Sequence, residues 1–111
     1  MKRAFGILFL SLVAVGAAAQ QQSPPLFATT KIAENVYLFR YQFHQAMFIV
    51  TPEGVIATDP IAYLRPQAAK AYLEEFRKIT QAPIRYLVYS HHHYDHISGG
   101  WPFKEAGATV V

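Results

Sequence analysis

Four of the chain's five histidines lie within six residues, His91-His92-His93-Tyr94-Asp95-His96. Imidazoles and a carboxylate at this density are donors for a divalent metal. Without an ion, crowded imidazoles resist protonation and set lone pairs against one another, and a divalent cation relieves both problems. His91 and His93 are two apart in a segment leaving a β run, so they project to one side and suit one ion. Asp95 and His96 follow where the chain curves and suit a second. His92, offset by one residue, points the other way and reads as a supporting or packing residue. Tyr94 reads as a pocket wall, and His44, alone, as an ordinary hydrogen-bonded histidine. There is no Cys, so this chain supplies no thiolate ligand, thiol nucleophile or disulfide. Imidazole and carboxylate without thiolate favour zinc first, then iron, manganese or nickel.

The elements around this cluster follow an α/β order. Asn35–Tyr41 is rich in β-branched and aromatic residues and predicts a strand. Ala46–Thr51 is a continuous apolar run, the pattern of a strand buried on both faces. Pro52-Glu53-Gly54 is turn chemistry, and Val55–Thr58 returns as the second arm of a hairpin ending at Asp59-Pro60. Arg65–Ile79 predicts an amphipathic helix, with Ala69, Tyr72, Leu73, Phe76 and Ile79 on one face. Lys70, Glu74, Glu75, Arg77 and Lys78 lie on the other, Glu74 and Lys78 being four apart in the favourable order. Ile84–Ser90 predicts a buried strand that delivers the histidines. A short helix within Ser98–Glu105 and a strand over Ala108–Val111 follow. Functional groups in such layouts collect where strands end.

The N-terminus has a different composition. Lys2 and Arg3 precede an uncharged run, Ala4–Ala19, of 16 residues that ends in the small residues Gly16-Ala17-Ala18-Ala19. This is the layout of a cleaved secretory signal over residues 1–19, and the run falls short of the ~20 residues a membrane span needs. A secreted or periplasmic location without a stable membrane anchor is expected. Residues 20–30, opening with the polar, Pro-rich Gln20–Pro25, are read as a flexible leader. The net charge of +3 drops to +1 once Lys2 and Arg3 leave, with eight basic against seven acidic side chains. A nearly neutral chain without a basic run or basic helix face has no footprint for nucleic acid, so the expected partner is a small-molecule substrate.

His91-x-His93-x-Asp95-His96, following the strand Ile84–Ser90 and preceding Ser98-Gly99-Gly100, resembles the signature of the metallo-β-lactamase superfamily. The upstream Gly54-Val55-Ile56-Ala57-Thr58-Asp59 is similar to that family's hairpin ending in an aspartate beside the metal loop. The resemblance runs from about Lys31 to Val111. It implies an α/β (α+β) fold, the four-layer αββα sandwich, and one or two metals at the sheet edges. By the same likeness His91 and His93 bind the first metal and Asp95 and His96 the second, while Asp59 supports them without being a ligand. Asp95 is also the candidate catalytic group, orienting the nucleophile or carrying its proton to the leaving group. The implied activity is a hydrolase in which metal-activated hydroxide attacks an ester, thioester, lactone or β-lactam carbonyl.

The family's remaining ligands, a third His, a bridging carboxylate or Cys and a last His, have no counterparts here. After His96 the chain has no His, Asp or Cys, and its single further carboxylate is Glu105. Residues 31–111 are therefore read as the N-terminal half of the domain, inactive by itself. Two alternatives stay open: a non-enzymatic periplasmic zinc-binding module, and an iron-dependent oxidoreductase on the same fold.

Overall fold

The structure, a computed structural model, describes residues 21–111. The export signal expected over residues 1–19 lies outside them. The order of elements is β1 (Phe27–Ala33), β2 (Val36–Tyr41), β3 (His44–Thr51), β4 (Gly54–Thr58), α1 (Pro66–Arg77), β5 (Ile84–Val88), α2 (Tyr94–Ile97), α3 (Trp101–Glu105) and β6 (Thr109–Val110). The six strands form one sheet in sequence order. β1 to β4 are antiparallel neighbours, whereas β4–β5 and β5–β6 are parallel. This is a mixed α+β fold and a partial domain: one sheet with one helical layer, as the first half of an αββα sandwich requires.

The alternation of side chains along the strands sets one face of the sheet against the helices. Phe39, Phe48, Val55, Ala57 and Leu87 are fully buried on that face, and Tyr72 and Phe76 of α1 and Phe103 of α3 meet them. Tyr72 stacks on Phe39 with ring centroids 4.6 Å apart and takes Phe103 edge-on at 5.1 Å. Each such ring contributes about 1.5–3 kcal/mol by leaving water. The Tyr72 hydroxyl stays satisfied by donating to the carbonyls of Met47 and Thr58, and burial pushes its pKa far up.

Three expectations need correction. The leader over residues 20–30 runs too far, because Phe27–Thr30 belong to β1. There Phe27 stacks on Tyr41 at 6.0 Å and Thr29 donates to Glu75 of α1 at 2.9 Å, contacts that turn a short, weakly patterned segment into an edge strand. The helix stops at Arg77, so Ile79 leaves its apolar stripe and is 40% exposed. Glu74 pairs with Lys70 at 3.7 Å, and Lys78 turns to Glu75, so the expected Glu74–Lys78 pair is not made.

β4 and β5 run parallel with Thr58 beside Val88, so their C-terminal ends open at the same edge. The Asp59 amide closes that edge by donating to the Val88 carbonyl at 3.1 Å. The segment after β4 is then pinned onto the histidine loop, Ile61 N–H donating to His96 O at 2.9 Å and Ala62 N–H to Ser98 O at 3.0 Å. Asp59, Ile61 and Leu64 take positive φ of 34°, 49° and 53°. For a β-branched residue such as Ile61 this is backbone strain, held in place by the fully buried side chain. Gly99 permits the close approach: with φ +87°, a Cβ there would sit 2.3 Å from Ala62 Cβ.

Candidate metal centre

Asp59, at the C-terminal end of β4, is the buried carboxylate of the site, 3% exposed. Its Oδ1 accepts from the Ser90 amide at 2.8 Å, and its Oδ2 accepts from the Ser90 hydroxyl at 2.5 Å and from His96 Nδ1 at 3.1 Å. Ser90 Oγ also lies 2.7 Å from His91 Nδ1. A carboxylate only accepts, so His96 carries its proton on Nδ1. The serine's single proton goes to Asp59, so His91 Nδ1 is the donor to Ser90 Oγ. Both rings are thereby fixed as the tautomer whose Nε2 is a bare lone pair. This is the form a metal requires, and a carboxylate behind the imidazole is the usual way to hold it.

The histidines converge as well. The His91 ring lies 4.3 Å from that of His96 and 4.7 Å, edge-on, from that of His93. One donor atom from each of Asp59, His91 and His96 falls within 4.8 Å of the others, among the described residues the group close enough to hold an ion. Imidazole and carboxylate donors fit a divalent metal, but this group takes in Asp59, expected only as a support, and leaves out His93 and Asp95 of the expected set. His92 does not point away as the strand alternation predicts. β5 ends at Val88, the cluster sits in a bend, and His92 packs edge-on to His93 at 4.9 Å.

Asp95 lies in the first turn of the four-residue α2. Its Oδ2 is 4.0 Å from His96 Nε2 and 3.0 Å from Nε2 of His44, at the start of β3. The hydrogen bond from His44 holds the Asp95 carboxyl below the usual carboxylate range, against a smaller opposing desolvation. Arg65 adds a tie by donating from Nη2 to the Asp95 carbonyl at 3.3 Å. Beside these groups a cavity of about 690 Å³ is lined by Tyr63, His92, His93, Tyr94 and Asp95. Tyr94 is a cavity wall, as expected, and faces Tyr63 with centroids 6.3 Å apart.

Three residues that the sequence reading left aside join the network around the expected cluster. His44 lies 51 positions before its partner Asp95, and no local pattern connects them. Ser90 carried a local signal, as the hydroxyl residue directly preceding the cluster. Arg65 looked like the boundary of a helix.

The family model described as the metallo-β-lactamase superfamily matches residues 43–111. The chain belongs to that superfamily. Its fold is hydrolase-like and implies divalent metal binding. Among curated proteins, a linear primary-alkylsulfatase of Pseudomonas sp. (strain ATCC 19151) is 43% identical over 51 residues, 46% of this chain and 9% of that protein. Among solved structures, a B3 metallo-β-lactamase with an active-site glutamic acid superposes with TM-score 0.65 at 28% identity, over 79% of this chain and 32% of the other. A stereoselective inverting sec-alkylsulfatase from Pseudomonas sp. has TM-score 0.59 at 20% identity, over 76% of this chain and 14% of its own, a likeness of fold alone. The chain spans about a third or less of the length of each of these relatives.

Proposed function

We propose that the complete protein is an exported metal-dependent hydrolase and that this chain brings the loop carrying much of its ion site. The observation that carries the reading is the Asp59–Ser90 network, which turns the Nε2 lone pairs of His91 and His96 outward beside His93. His91, His93, Asp95 and His96 are proposed to hold one or two divalent ions, zinc first, with iron or manganese as the other candidates. Asp59 orients His96 directly and His91 through Ser90. An ion bound there would supply Lewis acidity and lower the pKa of water toward neutrality. Asp95, whose carboxylate accepts from His44, would orient a nucleophilic water or take its proton.

The substrate is proposed to be a small molecule with an ester, thioester, lactone or β-lactam bond. The alkylsulfatase relatives add a sulfate ester to the candidates. Tyr63 and Tyr94 offer aromatic surface to its apolar part. Export through residues 1–19 places the reaction in the periplasm or outside the cell, without a stable membrane anchor. Nucleic acid is not proposed as a partner.

The test is metal analysis of the full-length protein with hydrolysis assays on an aryl ester, a lactone, a β-lactam and a dodecyl sulfate. His93→Ala and Asp95→Ala are each expected to lower metal-dependent hydrolysis on the order of 100-fold or more. A His91→Ala/His93→Ala double variant that binds zinc as tightly as the parent overturns the ligand assignment. Iron in place of zinc, with no hydrolysis across the panel, overturns the hydrolase reading.

A further inference from the structure

We propose that His44 is a positioning residue for Asp95, its Nε2–H fixing the direction of the carboxylate from the opposite side of the site. The two side chains come from separate parts of the fold, the first residue of β3 and the first turn of α2, and meet at 3.0 Å. The β2–β3 turn makes this meeting possible: Gln42 takes φ +51°, Tyr41 pairs with His44, and the chain re-enters the sheet with the imidazole facing the histidine loop. The His44 ring lies 5.7 Å from that of His96, so it borders the metal centre.

The unpaired nitrogen on the same ring argues that this contact is specific. His44 Nδ1 is buried and has no hydrogen-bond partner among the described residues. A buried polar atom without a partner costs free energy, and it persists where another interaction dictates the orientation. With a proton on Nε2 the ring donates to Asp95, and that contact holds the ring even though Nδ1 on the buried side meets no partner. Arg65 holds the Asp95 carbonyl at 3.3 Å while donating from Nε to Ile61 O, also at 3.3 Å. Asp95 is thus gripped through its backbone by one cation and through its carboxylate by one imidazole.

The inference rests on the reading of Asp95 as a group of the hydrolytic site, and its test separates the two. In metal-free full-length protein with ¹⁵N-labelled histidine, the His44 Nε2–H proton is expected as a downfield resonance that moves upfield in Asp95→Asn. In chelator-competition titrations His44→Leu, which keeps the bulk and removes the donor, is expected to weaken one metal equivalent about 10–100-fold. His44→Gln, which restores an N–H near the Nε2 position, is expected to recover most of that loss. With substrate, His44→Leu should lower kcat and leave KM in place. Unchanged resonance in Asp95→Asn overturns the proposal, as does equal behaviour of the Leu and Gln variants. A parent protein that takes up no metal overturns the hydrolase reading instead, and leaves the resonance to decide on His44.

Discussion

Replacing Asp59 by Asn changes one atom at the centre of the site and tests the tautomer argument directly. Asp59 accepts three hydrogen bonds, from Ser90 N at 2.8 Å, Ser90 Oγ at 2.5 Å and His96 Nδ1 at 3.1 Å. Asn offers one oxygen and one NH₂, so one side must become a donor. If the NH₂ faces the Ser90 amide, two donors oppose each other in a position 3% exposed, costing about 1–3 kcal/mol. If it faces Ser90 Oγ and His96, His96 must accept at Nδ1 and move its proton to Nε2. The Ser90 hydroxyl, now receiving from the amide, then donates to His91 Nδ1, and His91 shifts its proton in the same direction. Both rings would present N–H where a metal needs lone pairs. Loss of such a supporting carboxylate weakens metal affinity about 10–100-fold. Chelator competition on full-length Asp59→Asn reads the affinity, and a melting curve of the metal-free protein reads the stability. Parental affinity together with a parental melting temperature would refute the reasoning, because one of the two orientations must be adopted.

The close approach of the Gly99 turn to Ala62 predicts that Gly99→Ala destabilises the protein by about 2–4 kcal/mol, from the positive φ and the overlap together. Ala62→Gly in the same chain should recover the overlap but not the backbone part, as read by urea unfolding of single and double variants. Glu75, a half-buried residue of α1, is held below the usual carboxylate range first by Lys78 and also by Thr29. The folded state therefore binds the Glu75 proton less tightly than the unfolded chain. Its stabilisation is complete above the ordinary carboxylate pKa and fades as pH falls through the lowered folded value. Glu75→Gln should accordingly be less stable than the parent at neutral pH and converge with it in acid. A constant gap in urea midpoint down to pH 2–3 would contradict this.

The elements were largely legible because their signals are local. The apolar run before Pro52-Glu53-Gly54 and the return after it appear as β3 and β4. The spacing of Tyr72 and Phe76 became the buried face of α1. β1 was not legible, since Phe27–Ala33 has neither strict alternation nor a long apolar run, and its place depends on pairing with β2 and on Thr29 reaching Glu75. At the site, His91, His93, Asp95 and His96 stood out as candidate metal donors by residue type and spacing, and the structure groups His91 and His96 with Asp59. Their grouping could not, because alternation along a strand does not continue past Val88 into the bend.

By itself the sequence determined a dense set of candidate donors, its place after a β run, and the absence of any thiolate from this part of the protein. Tertiary structure alone decided which nitrogen of each ring faces the centre, since that depends on a carboxylate 37 positions before His96 and on the serine between them. It also decided that His44 serves Asp95, a meeting set by sheet register and by the parallel placement of β4 and β5. Candidate donors are legible from residue types at short spacing. Orientation and protonation depend on distant groups brought together by the sheet.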